Sequence, residues 1–317
     1  MTPRDEGGGP DLPWGGPRFW QGVYRVADPK ITLASVASMA LGLALAAHDG
    51  PIQWGALAAT VLGIFCIEAA KNASGELYDF DSGTDVRVTE EDRSPFSGGK
   101  RVLVDRLWTR PQTMAVAGVF YLLGAAFGVA LAVKEPAVWG IGLVGAALAF
   151  FYHAPPFKLS YRGLGELAVF LTYGPLICAG AYVVQRGEIP LRAVHLGVPV
   201  GVMIAAFLFI NEFPDARADE ASGKRTIVVR IGRVLAARAF VTFPIVAFGY
   251  LALAPFAFGL PRGVWIGIIG LPHAILASKR LRASPDVTKE IVPAQAWTLL
   301  SFVLLSLGAS VGLLVFR

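Results

Sequence analysis

Apolar residues run along this chain in blocks of about twenty, separated by short polar breaks. A helix rises 1.5 Å per residue, so such blocks match the ~30 Å hydrocarbon core of a bilayer. The pattern predicts helical spans near 29–48, 52–75, 111–133, 136–153, 163–185, 192–213, 235–258, 261–279 and 293–316. The breaks are rich in turn formers: Asp49-Gly50-Pro51, Lys134-Glu135-Pro136, Gly187-Glu188-Ile189-Pro190 and Leu260-Pro261. The expected fold class is therefore all-α, a polytopic membrane protein of nine spans. Two connections are long and rich in Asp, Arg, Lys and Gly, at 79–110 and 214–234.

Composition agrees. The 317 residues are 55% hydrophobic and 16% charged, with a mean hydropathy of +0.57. That is too apolar for a soluble domain and too poor in charge for a large solvated surface. No segment is organised for nucleic acid; the surrounding partner is membrane lipid. Cys66 and Cys178 both lie inside apolar runs, where packing is the expected role. Residues 1–22 are Gly/Pro-rich without an apolar signal core and are expected to be a disordered tail before a single domain at 23–317.

The charge distribution sets orientation. Of 28 lysines and arginines, 22 fall in the N-terminal tail and the connections 2–3, 4–5, 6–7 and 8–9. The positive-inside rule then predicts a cytoplasmic amino terminus and an external carboxyl terminus, in the inner membrane if the cell is bacterial. Both long connections lie on the cytoplasmic side.

Each follows an acidic cluster at a helix end. Asn72, Glu76 and Asp79 are spaced i, i+4, i+7 and share a face; Asp85 follows. Asn211, Asp215 and Asp219 are spaced i, i+4, i+8 and do the same. Like charges one turn apart repel, and a bound cation reverses that sign. Mg²⁺ favours a few carboxylates together with water and phosphate oxygens, so two sparse ladders are suited to a diphosphate held through Mg²⁺. The candidate metal ligands are Glu76, Asp79, Asp85, Asp215 and Asp219. Candidate diphosphate-binding cations are Arg25, Lys158, Arg162, Lys224 and Arg225. Tyr78, Tyr152, Tyr161 and Tyr173 offer π faces to a developing cation, although tyrosine is common at any membrane interface. Glu68 and Lys71 are expected to pair. Glu166 and Asn211 are pocket candidates, and Ser97-Gly98-Gly99 would allow a hinge.

The motifs resemble the UbiA-type intramembrane prenyltransferases, closest to the menaquinone-type branch. Asn72, Glu76, Asp79, Phe80, Gly83 and Asp85 stand at the first aspartate-rich motif, and Asp215 and Asp219 at the second. Gly223-Lys224-Arg225-Thr226, Val229-Arg230-Ile231-Gly232 and Tyr161-Arg162-Gly163-Leu164-Gly165-Glu166 extend the likeness. Glu76 departs from the usual Asp. The resemblance implies nine helices in a bundle around a central cavity, with cytoplasmic cap loops after helices 2 and 6. It implies Mg²⁺-dependent transfer of a polyprenyl group from an allylic diphosphate to an aromatic acceptor, with Asp79, Asp215, Asp219 and Asn72 as catalytic residues. The branch points to 1,4-dihydroxy-2-naphthoate, with 4-hydroxybenzoate, homogentisate, chlorophyllide or a glycerol lipid as other acceptors. A secondary transporter is the alternative from another class, on the strength of Glu68, Lys71 and Glu166.

Overall fold

Residues 12–316 are described by the computed structural model, apart from the side chains of Lys30 and Ile31. Residues 1–11 of the expected tail lie outside that range. The expected disorder does not reach residue 22, because Pro17–Ala27 forms a helix, α1. Its Phe19, Val23 and Val26 need an apolar partner and find one described below.

Among the described residues the elements are helical, with no strand. After α1 come α2 (Pro29–Asp49), α3 (Trp54–Ser82), α4 (Arg110–Lys134) and α5 (Val138–Phe151). Then follow α6 (Gly165–Arg186), α7 (Leu191–Ala221) and α8 (Arg233–Phe258). A 3₁₀ stretch at Arg262–Gly270 leads into α9 (Leu271–Ala283), and α10 (Thr288–Val315) ends the bundle. Seven helices are long and apolar enough to cross a membrane: α2, α3, α4, α6, α7, α8 and α10. The span expected at 136–153 is the shorter apolar helix α5. The one expected at 261–279 divides between the 3₁₀ stretch and α9.

Local chemistry explains the boundaries. At α4 the Thr109 side chain accepts from Gln112 N–H, Gln112 Oε1 accepts from Thr109 N–H, and Pro111 occupies the first turn. That reciprocal capping box satisfies donors a helix start otherwise leaves unpaired. α3 overruns its apolar run to Ser82, which carries the first acidic ladder beyond that run on a helix. Gly83 then stops it at φ +78.

α7 is the central rod: 72% of its apolar window is buried, against 28% for α4. It packs against α2, α6, α8 and α10. The α6 contact is backbone to backbone; a Cβ at Gly174 would lie 2.8 Å from Gly197 O and from Gly201 Cα. Small residues give membrane helices this close approach. Within α6, Pro175 has no N–H to offer, and Thr172–Leu176 opens into a π turn. The Ser38 hydroxyl donates to the Tyr173 carbonyl there.

A second, smaller core lies beside the main one. Val26, Ala69, Ala73, Val102, Leu103, Leu107 and Trp108 are buried together, with Phe19 and Val23 of α1 packed on them. Trp108 Nε1–H donates to the Phe19 carbonyl at 3.0 Å. The α3–α4 connection is thereby fastened to α1.

Candidate active site

The two helices that carry the acidic ladders, α3 and α7, end on opposite sides of a polar pocket of about 200 Å³. Its walls include Asn72, Glu76, Asp79 and Asp85 from the first motif and Asn211, Asp215 and Asp219 from the second. Lys71, Lys100, Lys224, Tyr152 and His153 complete the charged and aromatic lining. Ten of the candidate site residues, those seven motif residues with Lys224, Tyr152 and Tyr173, therefore converge on one space.

The second motif faces that space with free valence. Asp215 Oδ2 accepts from Gly98 N–H at 3.1 Å, while Oδ1 is buried without a hydrogen-bond partner. Asp219 forms an ion pair with Lys224 at 3.4 Å. The Lys224 ammonium also sits 5.5 Å from the centre of the Tyr161 ring, and Tyr161 O–H donates to Asp79 Oδ1 at 2.6 Å. Burial alone would lower the Lys224 pKa, but Asp219 first, then Asp79, Tyr161 and Asp215, hold it well above its ordinary value. An unbroken line of charge and hydrogen bonding thus joins the two motifs. His153 Nε2 approaches the other oxygen of Asp79 at 3.7 Å.

Asp85 lies under the α3–α4 connection. Gly99, at φ +73, rests so close that a Cβ would fall 2.6 Å from Asp85 Oδ2, which itself has no hydrogen-bond partner. Burial, then the charges of Asp79 and Glu76, push the Asp85 carboxyl well above its ordinary pKa. A cation would relieve all three effects.

Glu76 is different. The N–H groups of Lys100 and Arg101 donate to its Oε1 at 2.6 and 3.1 Å, and Val102 N–H donates to Oε2 at 2.8 Å. Both oxygens of this expected metal ligand are taken up by the 100–102 backbone. The longer side chain holds the connection over the pocket. The donor set left for a divalent cation is Asp79, Asp85, Asp215 and Asp219, and the orphan oxygens of Asp85 and Asp215 fit that use. Among the described residues no three acidic, His or Cys side chains form a ready-made cage. Mg²⁺ does not need one, since it keeps several waters and phosphate oxygens.

Of the expected diphosphate-binding cations, Lys224 alone lines the pocket. Arg25 is bound to Asp105 at 2.6 Å and to the Lys100 carbonyl at 3.3 Å. Lys158 stacks over Tyr161 at 5.4 Å. Arg162 and Arg225 are exposed; the Arg230 guanidinium donates to the Arg162 carbonyl at 3.0 Å, and the Arg225 N–H donates to the Tyr161 carbonyl at 2.9 Å. Asn72 donates to the Val26 carbonyl at 2.9 Å and Asn211 accepts from Gln295 at 3.0 Å, so both are half occupied by structure. Tyr78 is outside the lining, and Glu166 is buried beside Glu212 behind it. Lys71 and Glu212 were not expected in the site, whereas Lys100 follows the first acidic cluster in sequence and His153 ends the fourth expected span; all four line the pocket. An ammonium inside an apolar run was the signal for Lys71; Glu212 is placed by tertiary contacts alone.

A second cavity of about 580 Å³ opens off the first, between α3, α4, α5 and α6. Its walls are almost wholly apolar, and Leu122, Val129 and Leu143 on them are exposed at the bundle surface. Lys71, Tyr152, Val169 and Tyr173 belong to both cavities. The carboxylate-rimmed pocket thus adjoins a greasy slot between the helices.

Fold and site together define an intramembrane helical enzyme. The chain belongs to the UbiA prenyltransferase family, whose model matches residues 35–299; it is a prenyltransferase and an integral membrane protein. It is similar to a 2-carboxy-1,4-naphthoquinone phytyltransferase from Synechocystis, 29% identical over 271 residues, 85% of this chain and 82% of that protein. It is also similar to a UbiA prenyltransferase domain-containing protein 1 homologue from Drosophila melanogaster, 27% identical over 274 residues, 83% and 71% of the two chains. Among solved structures, a UbiA homologue from Archaeoglobus fulgidus bound to DMAPP and Mg²⁺ shares the fold, with a TM-score of 0.68 at 14% identity over 91% and 99% of the two chains.

Proposed function

We propose that the protein transfers a polyprenyl group from an allylic diphosphate to a planar aromatic acceptor of the quinone-precursor type, 1,4-dihydroxy-2-naphthoate first among them. The observation that carries this is the shared wall. The carboxylate-rimmed pocket and the apolar cavity meet at Lys71, Tyr152, Val169 and Tyr173. A molecule with an anionic head and a long hydrocarbon tail needs that junction. The naphthoquinone substrate named for the Synechocystis relative supports the acceptor class.

In this reading Asp79, Asp85, Asp215 and Asp219 hold Mg²⁺, which neutralises charge on the diphosphate. Lys224 and Lys100 add positive charge at the same head group. The allylic C–O bond breaks with its electron pair leaving on the diphosphate. The Tyr152 and Tyr173 rings face the cation at the border, and the apolar walls keep water from it. A ring carbon of the acceptor then forms the new C–C bond and sheds a proton. All nine spans cross the membrane, the pocket opens to the cytoplasm, and the domain expected at 23–317 extends back to take in the whole of α1.

The test is direct. Purified protein in nanodiscs receives geranyl or geranylgeranyl diphosphate, 1,4-dihydroxy-2-naphthoate and Mg²⁺, and products are read by mass spectrometry. Prenylated ring and released diphosphate, both abolished by chelation, are expected. Turnover of 4-hydroxybenzoate alone would reassign the acceptor; no turnover of any aromatic ring would overturn the reading.

A further inference from the structure

Three lysines line the polar pocket, and two of them already have carboxylate partners. Lys100 is paired with Asp28, and Lys224 with Asp219 at 3.4 Å. Lys71 differs. Among the described residues no carboxylate lies within 4 Å of its ammonium. Glu68, one turn away on α3 and its expected partner, interacts with it from beyond that distance and accepts from the Ser35 hydroxyl at 3.1 Å. What Lys71 does face is the Tyr152 ring, whose centre is 5.3 Å from Nζ. Glu68, Asp28 and Asp79 act on it only from farther than an ion pair spans, so a buried ammonium here is incompletely compensated, and an anion that arrives with a ligand completes the pairing.

Position decides which anion. Lys100 and Lys224 touch only the polar pocket, whereas Lys71 also lines the apolar cavity. With the diphosphate held at the aspartates, its reactive carbon points toward the apolar side. The acceptor ring must reach that carbon at the border, beside Tyr152 and Tyr173. Two tyrosine faces suit a flat ring. An aromatic acid brings a carboxylate into this nearly dry space and requires a counter-charge there.

We propose that Lys71 binds the carboxylate of an aromatic acid acceptor and so selects acids over neutral rings. The inference rests on the prenyl-transfer reading and refines its substrate class.

The experiment compares 1,4-dihydroxy-2-naphthoate with 1,4-dihydroxynaphthalene, which has the same ring and no carboxylate, in wild type, Lys71→Met and Lys71→Arg. Met preserves length and removes only charge. The expected result is a rise of at least about tenfold in KM for the acid in Lys71→Met, partial retention in Lys71→Arg, and less than about twofold change for the neutral ring. KM for the allylic diphosphate should move less than twofold. Equal losses for both rings, no loss for either, or a rise confined to the diphosphate KM would overturn the proposal, the last reassigning Lys71 to the diphosphate. Equilibrium binding of the two rings to protein in nanodiscs separates this from the parent reading. A wild type that prenylates neither ring defeats the naphthoate reading of the acceptor, while acid binding that is unchanged in Lys71→Met defeats the Lys71 inference.

Discussion

The two acidic motifs look alike as sequence and differ as structure. Each is a ladder at the end of a long helix. In the second, on α7, Asp215 and Asp219 direct oxygens into the pocket, and one backbone N–H and one lysine attend them. In the first, on α3, Asp79 keeps that role, but Glu76 gives both oxygens to three successive backbone N–H groups. The lesson is that carboxylate spacing reports which residues share a face, not what each oxygen meets. One added methylene lets Glu76 reach the α3–α4 connection and converts a rung of the ladder into a clamp.

The comparison can be broken from its strongest end. Asp219→Asn, Asp215→Asn and Asp79→Asn should each lower kcat by roughly 10²–10³-fold or more, as removal of transition-state charge stabilisation does elsewhere. Near-full turnover in all three would remove the aspartates from the chemistry. Glu76→Gln should cost less, about 10–30-fold in kcat/KM, because charge-assisted hydrogen bonds are weakened rather than a cation lost. Its Mg²⁺ requirement should stay within about twofold of wild type, while trypsin cleaves faster at Arg101 or Arg106. A large shift in Mg²⁺ requirement for Glu76→Gln, matching Asp79→Asn, would make the motifs equivalent after all. Gly99→Ala places a Cβ against Asp85 at a positive φ, and should reduce activity by about tenfold, with little change in the thermal midpoint. The smallest effect concerns pH. Burial and like charges make Asp85 hold its proton to higher pH than an ordinary aspartate. Protons compete with the cation there, so the Mg²⁺ concentration for half-maximal rate should rise as pH falls and decline as pH rises. A flat Mg²⁺ requirement across pH 6–8.5 would exclude Asp85 from the set.

Much of this architecture was legible because bilayer thickness and helix rise leave little freedom. The apolar runs and the Gly/Pro breaks locate the rods, whereas the irregular turn at Thr172–Leu176 in α6 was not foreseen within the span expected at 163–185. The 3₁₀ stretch before α9 was harder to see. Its Gly263, Gly267 and Gly270 sit against the backbone of α10, a contact that no local pattern announces. In the site, periodicity grouped Asn72, Glu76 and Asp79 correctly and could not reveal that residues 100–102 return to Glu76. The spacing of Glu68 and Lys71 suggested a pair; the two charges do act on each other, at more than 4 Å, while Ser35 from another helix hydrogen-bonds the glutamate. Arg25 and Lys158 were reasonable cations by proximity in sequence, yet Asp105 and the Tyr161 ring hold them elsewhere.

The small core beneath α1 has a consequence for biosynthesis. Phe19 and Trp108, joined by a hydrogen bond, are 89 residues apart. At roughly 5–20 residues per second, α1 waits on the order of ten seconds after leaving the ribosome before its partner segment exists. α1 therefore precedes α2 and α3 in synthesis but is seated only once residues 102–108 exist. Until then Asn72 lacks the Val26 carbonyl in its final place, and one wall of the pocket is unfinished.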